Sequence, residues 1–322
     1  MKDWTPNEGD FVENVKCPKW GPGKVVLVEA GYVYVFFRDD QRKAGDAKKA
    51  RKFTLEGGLL RPVDITSDPV LDHLLPYVRQ GPEVLLPTER MTLGMAKAKF
   101  LGIFPGGFRG KGYIGDKKKG ERFYKWAAHQ RFVEVLGDGQ LETLLDGGQV
   151  GEAATRAMTV VNATNLLASF ETIALKDALE DETAAKRYLR ALAELLARPT
   201  IDATGFEAYL RAFLELPRRG NARVHTWPVC TALPYLAQPN RFIHLKPAET
   251  KKAAARLAFD LRYDATPNWT TYQRLLDFAE LYRAGLADLG CEDMIDVQSF
   301  IWVTCGGYDR PKKKPKDEGT ER

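Results

Sequence analysis

From Glu152 to Ala197 the chain contains no proline, and apolar residues return at helical spacing through VVNATNLLASFETIALKDALEDETAAKRYLRALAELLA. Proline inside a helix removes a backbone donor and clashes with the preceding turn, so a long proline-free stretch with that period predicts bundle helices. Two carboxylates, Glu171 and Asp177, sit among its apolar neighbours. A carboxylate on an inward face is costly unless it is paired or used, which makes both of them candidate acids.

The beginning of the chain is punctuated differently. From Gly9 to Val63 short β-rich runs are broken by Pro and Gly, as in GDFVENVKCPKWGPGKVVLVEAGYVYVFFRD. Val26 and Val28, then Val33, Val35 and Phe37, alternate on either side of Ala30-Gly31, the pattern of a hairpin with one buried face. Residues 1–63 are therefore expected to form a small barrel. Arg38 to Lys52 is charged throughout and reads as a solvated loop, and the prolines of RPVDITSDPV start a linker over 64–87. The fold class expected is mainly α: a small N-terminal SH3-like β-barrel, an all-helical domain over 88–304 and a basic, disordered tail over 305–322.

With 322 residues and 44% hydrophobic content the chain can bury a sizeable core, which argues against disorder. Its 48 Lys and Arg against 43 Asp and Glu leave a formal charge of +5, too small by itself to name a partner. The placement of that charge is more telling. Phe104 to Phe132 carries five glycines between Gly106 and Gly115, and its cations Arg109, Lys111, Lys117, Lys118, Lys119, Arg122, Lys125 and Arg131 face only Asp116 and Glu121. Glycine permits close backbone approach, cations neutralise phosphates, and Phe108, Tyr113, Tyr124 and Trp126 offer stacking faces, a combination that favours nucleic acid. No G-x-x-x-x-G-K-[ST] run is present, so nucleotide hydrolysis is not indicated.

Cys17, Cys230, Cys291 and Cys305 form no C-x-x-C pair, and His73, His129, His225 and His244 form no H-x-x-x-H pair, so neither a metal nor another cofactor is expected. The N-terminus lacks an apolar signal core and no run of about eighteen apolar residues occurs, which together with scattered thiols fits a soluble cytoplasmic protein without membrane contact.

The last third reads as a helix ending near Glu215, a turn over Leu216 to Gly220, a helical stretch from about Asn221 to Leu236 broken by Pro228 and Pro234, a strap from Gln238 to Lys246, and three further helices beginning near Pro247, Thr270 and Asp293. The order of LPRRGNARV, PNRFIHLKP and CEDMIDVQSFIW resembles the helix-hairpin-helix DNA glycosylases, particularly the oxoguanine-glycosylase branch. LPRRGNARV is similar to that family's L-P-G-V-G hairpin, with Arg218 where the family has its first glycine. The resemblance implies phosphate contact by Arg218, Arg219, Gly220 and Asn221. It also puts Lys246 near the family's catalytic aspartate, where an amine could act as nucleophile or touch a phosphate. The opening GD-x-V and WGPGKVV resemble the Tudor-like, SH3-like modules of bacterial repair helicases and transcription-coupled factors, which implies a protein partner for the barrel.

The resemblance implies removal of a base from double-stranded DNA to leave an abasic site. The roomy glycine-rich loop favours a modified or bulky base such as the glucosylated hydroxymethylcytosine of phage DNA, as for an antiphage glycosylase. Lys246, Asp296 and Glu171 are then the catalytic candidates, with Asp177 as a further acid. Trp269, Gln298, Trp302 and Tyr113 are candidates for the base pocket, with Asn268 and Trp227 as further contacts. The rival expectation is a non-catalytic adaptor that binds DNA and RNA polymerase. The glycosylase reading requires Gly220, Lys246 and Asp296 to surround one hollow.

Overall fold

The structure, a computed structural model, describes residues 4–40, 42, 44–74, 76–87, 90–116, 119–218 and 223–308. Its first part is an antiparallel sheet of β1 (Phe11–Asn14), β2 (Gly23–Glu29), β3 (Tyr32–Phe37), β4 (Arg51–Thr54) and β5 (Leu60–Pro62), in the spatial order β4-β3-β2-β1-β5. Ala30 and Gly31 join β2 to β3 with φ of 46° and 80°. Two successive left-handed residues make the primed turn that suits the right-handed twist of a hairpin. The end strands β4 and β5 do not pair with each other, so the sheet stays open where a closed barrel was expected.

The alternation in the hairpin also concealed a second buried face. Val33, Val35 and Phe37 pack with Val12 and Val25, while Tyr34 and Phe36 on the other side pack with Val84, Leu86 and Ala258. The expected linker supplies Val84 and Leu86 of that cover. It carries a hairpin, β6 (Val78–Gln80) and β7 (Glu83–Leu85), tied to the first sheet by Ala50 N donating to Val84 O and Leu86 N donating to Lys48 O, each at 2.8 Å. Ala258 belongs to the helical body, so the sheet is packed against that body.

The charged segment after β3 is likewise more than a solvated loop. It includes the short helix α1 (Ala44–Ala47), and it buries Asp40 between Arg42 at 2.7 Å and Arg51 at 3.0 Å. Burial alone would raise the Asp40 carboxyl, but hydrogen bonds from the two guanidinium groups outweigh it and hold the group below the ordinary carboxylate range.

The remainder is helical: α2 (Leu93–Ile103), α3 (Lys111–Ile114), α4 (Phe123–Leu136), α5 (Gln140–Asp146), α6 (Val150–Asn162), α7 (Ser169–Ala178), α8 (Glu182–Ala197), α9 (Ala203–Leu214), α10 (Trp227–Ala237), α11 (Pro247–Arg256), α12 (Trp269–Gly285) and α13 (Met294–Trp302). Asp181, Asp202, Thr226, Asn268 and Asp293 cap α8, α9, α10, α12 and α13 by accepting from first-turn N–H groups. Among the described residues no helix is long and apolar enough to cross a membrane.

The centre of the body is α10, all eleven of whose residues are buried and which packs against α4, α6, α7 and α8. A helix buried on every side is apolar on nearly all of its surface, and Thr231 and Tyr235 bring the only side-chain hydroxyls of this one. Pro234 lies inside it and cannot donate to Cys230 O, yet that carbonyl is satisfied by the Tyr209 hydroxyl at 2.6 Å. Truncating a core residue such as Leu233 to alanine is worth about 2–5 kcal/mol.

The hairpin expected between α9 and α10 is only partly visible. Helix α10 starts at Trp227 and not near Asn221, and Arg223 to His225 are not helical. Arg218 is exposed, its Nε 3.3 Å from His225 Nδ1, while Arg219, Gly220 and Asn221 lie outside the described residues. The strap after α10 has no regular structure, and its backbone is satisfied by side chains instead. Tyr272 Oη accepts from Ile243 N at 3.3 Å and donates to Ile243 O at 3.2 Å, and Leu245 N donates to Thr231 Oγ1 at 3.0 Å.

Candidate functional site

The glycine-rich segment is folded on itself. A Cβ on Gly107 would meet Leu289 O at 2.7 Å, and one on Gly115 (φ 74°) would meet Lys119 O at 1.9 Å. These glycines let chain approach chain, which is a different use from the ligand approach anticipated. The segment reverses where Asp116 and Lys119 pair as an antiparallel bridge. Its aromatics also have a different role. Phe108 and Tyr113 are core residues packed by tilted and edge-to-face contacts among Phe100, Phe104 and Phe300, so they offer no face to an unpaired base.

Beside this reversal lies a cavity of about 750 Å³. Its near wall is Asp116, Lys119, Gly120, Glu121, Tyr124 and Lys125, and its far wall is Asn165, Leu166, Lys246, Gln298, Trp302 and Tyr308. The volume falls in the range typical of small-ligand sites. Six of the residues singled out by sequence therefore converge: Lys119, Tyr124, Lys125, Lys246, Gln298 and Trp302. Lys246 stands at the end of the strap, at the N-cap position of α11, with Nζ 4.9 Å from the centre of the Trp302 ring. Gln298 is 5% exposed, and its Oε1 has no hydrogen-bond partner among the described residues.

Lys125 was expected to touch phosphate, but it is only 1% exposed. Its Nζ donates to Glu121 Oε2 at 3.1 Å and to Ser299 Oγ at 2.7 Å. Burial pulls its ammonium below the usual lysine range, against the opposing pull of Glu121. Glu121 in turn accepts from Tyr308 Oη on Oε1 at 2.9 Å and from Tyr124 Oη on Oε2 at 3.3 Å. Glu121, Tyr308 and Asn165 were not singled out as site residues. The available signal was the i, i+4 spacing of Glu121 and Lys125 at the start of α4.

Asp296 lies behind this wall and not on it, so of the three residues expected to surround one hollow Lys246 lines the cavity, Asp296 does not, and Gly220 lies outside the described residues. It is 1% exposed, and Oδ1 accepts from Tyr113 Oη and Arg122 Nη1 at 2.6 Å each while Oδ2 accepts from Glu292 N at 2.9 Å. Burial and the neighbouring Asp293 raise its carboxyl, with Tyr113 and Arg122 opposing. Arg122 also donates to Asp293 Oδ2 at 2.7 Å; burial alone would lower its guanidinium, but the two carboxylates hold it well above its ordinary value. Arg122, Tyr113 and Asp296 thus lock the glycine-rich segment to α13, and none of the three is placed to take the DNA-binding, base-pocket or catalytic role assigned from sequence.

Other candidates are also engaged elsewhere. Glu171 Oε2 accepts from Ala168 N at 2.9 Å and Oε1 from Thr226 Oγ1 at 3.1 Å, so it caps α7 and ties it to α10. Trp269 packs on Phe206, and Trp227 Nε1 donates to Asp264 O at 2.7 Å. Asn268 is spent capping α12. Arg109 and Lys111 are exposed on the glycine-rich segment, Asp177 is half-buried on α7, and Lys117 and Lys118 lie outside the described residues.

Two more polar groups are buried near the cavity. His244, beside Lys246 on the strap, meets Thr231 Oγ1 at 3.1 Å through Nδ1, while its Nε2 and the Tyr235 hydroxyl have no partner among the described residues. Burial, then Lys246 and Lys125, lowers His244 to about 3, so it is neutral at pH 7. The cysteines are unpaired. Among the described residues no three His, Cys, Asp or Glu side chains gather as a metal-holding group. No protein-family model, curated protein or solved structure matches this chain.

Proposed function

We propose that this protein is a DNA glycosylase that receives a modified base, turned out of the duplex, in the cavity between α4 and α13 and hydrolyses its N-glycosidic bond to leave an abasic site. The observation that carries this reading is the composition of the cavity wall. A Trp302 face, the ammonium groups of Lys119 and Lys246 and the unpaired Gln298 Oε1 meet in one hollow. An everted nucleotide needs these three things: a surface to stack on, cations for its phosphates and a hydrogen-bond acceptor for the edge of its base. Lys111 and Lys119 are exposed on the segment that forms the rim, where a phosphate backbone would pass.

The size and polarity of the hollow favour a base that carries a bulky polar substituent. Two tyrosine hydroxyls, two side-chain amides and two carboxylates line the walls, more hydrogen-bonding groups than the edge of an ordinary pyrimidine can engage. Glucosylated hydroxymethylcytosine in phage DNA has the matching chemistry, and its removal would serve defence against phage. Incubating the protein with unmodified, oxidised and glucosylated duplexes and scoring released base and alkali-labile sites tests the reading. Released base with strand loss only after alkali is expected. Binding without release on all three substrates would favour the adaptor, and direct strand breaks would favour a nuclease.

A further inference from the structure

Hydrolysis of an N-glycosidic bond builds positive charge on the sugar, so a carboxylate held near C1′ lowers the barrier. The two acids expected in this role do not line the cavity: Asp296 is held behind its wall by Tyr113, Arg122 and Glu292 N, and Glu171 ties α7 to α10. The cavity wall has two carboxylates, Asp116 and Glu121. Asp116 is exposed, whereas Glu121 is 7% exposed and held by three donors.

The geometry points to Glu121 as the catalytic carboxylate of this site, with Lys125 as its positioning residue. The inference rests on the everted-nucleotide reading and assigns its chemistry. Three donors fix the carboxylate, while its two oxygens together have about four acceptor sites, so capacity remains for a developing cation. Lys125, on the first turn of α4, bridges Glu121 and Ser299 of α13, so the two helices that wall the cavity set the position of the carboxylate together. In the reaction the C1′–N bond breaks and its electron pair leaves with the base. Water then adds its hydroxyl to C1′, and the remaining proton goes to the departing base. Glu121 faces the cationic sugar between those events and forms no lasting bond. The low dielectric around a nearly buried carboxylate makes this pairing much stronger than it would be in water.

Binding to abasic duplexes tests the assignment without knowledge of the base. One duplex carries a cationic pyrrolidine analogue of the sugar, and the other carries neutral tetrahydrofuran. The wild-type protein should prefer the cation by at least about tenfold, a gap of about 1.4 kcal/mol. Glu121→Gln should abolish that preference while leaving affinity for the neutral duplex in place. Glu121→Asp, which keeps the charge but withdraws it, should retain part of the preference, and Asp116→Asn should retain all of it. Lys125→Met should weaken the preference with little change in neutral binding, an effect that a merely structural lysine would not produce. A wild-type protein that binds both abasic duplexes equally, or a preference that survives Glu121→Gln or vanishes in Asp116→Asn, overturns the assignment and leaves the everted-nucleotide reading standing. No gain for either abasic duplex over undamaged DNA overturns both.

Discussion

The wall between α4 and α13 has two sides built from the same short segments and satisfied in opposite ways. On the inner side Asp296, Asp293, Arg122 and Tyr113 saturate one another. On the cavity side Gln298, two residues along α13 from Asp296, leaves an acceptor without a partner among the described residues, and nearby the His244 Nε2 and the Tyr235 hydroxyl have none among them either. Buried polar groups normally find partners, because an orphan costs about 1–3 kcal/mol. A fold that satisfies one face completely and keeps its unpaired groups to the other separates a stability element from a site kept ready for a ligand.

That contrast fails first if the inner side proves dispensable. Arg122→Ala removes the shared partner of two buried carboxylates, and leaving such charges uncompensated costs about 3–5 kcal/mol. Because both acids lose their cation, a loss near about 5 kcal/mol is expected in urea denaturation. A loss under about 1 kcal/mol would mean that the cluster is not a clamp.

The second test concerns His244. Its folded value is about 3 against an ordinary 6.5, so the folded state binds fewer protons than the unfolded chain between those values. Its contribution to stability is therefore complete above pH 6.5 and is lost as pH falls toward 3. The shift corresponds to about 5 kcal/mol. Unfolding free energies of the wild-type protein and His244→Asn, measured across that window, should converge as pH falls. Parallel curves would show that His244 is not held neutral.

Much of this was legible in the sequence, but unevenly. The proline-free stretch gave helices because period and punctuation are local properties, and the α6 to α8 helices fall where that pattern puts them. The second buried face of β3 escaped notice because Tyr34 and Phe36 are covered by Val84, Leu86 and Ala258, residues far away in the chain. The same limit governed the site. Lys246, Gln298 and Trp302 could be picked out by type, but whether an acid is free depends on which groups surround it. Asp296 looked like a catalytic acid on an apolar helix, and only its spatial neighbours Tyr113 and Arg122 reveal a structural role. Basic residues misled for a related reason: Arg122 and Lys125 are bound to carboxylates of the fold, and a charge count along the chain does not reveal that.

On the cavity side, changes should cost binding and spare stability. Lys246→Ala removes a partly exposed ammonium and its contact with Trp302, which is worth about 1 kcal/mol. Its effect on DNA affinity should be larger than its effect on unfolding, and should shrink as salt is raised.

The smallest change in stability, and the most discriminating, belongs to Gln298→Leu. The substitution exchanges an amide with an unpaired buried oxygen for an apolar side chain of similar size. Removing an unsatisfied group relieves its desolvation penalty, so the variant should unfold within about 1 kcal/mol of the wild-type protein and on the stable side. Binding should move the other way, because a ligand that donates a hydrogen bond to Gln298 loses its acceptor. A stabilised variant with weakened binding to DNA that carries the modified base would show that Gln298 is left unpaired for a ligand. A destabilised variant with unchanged binding would place Gln298 among the satisfied groups of the fold and erase the difference between the two sides of the wall.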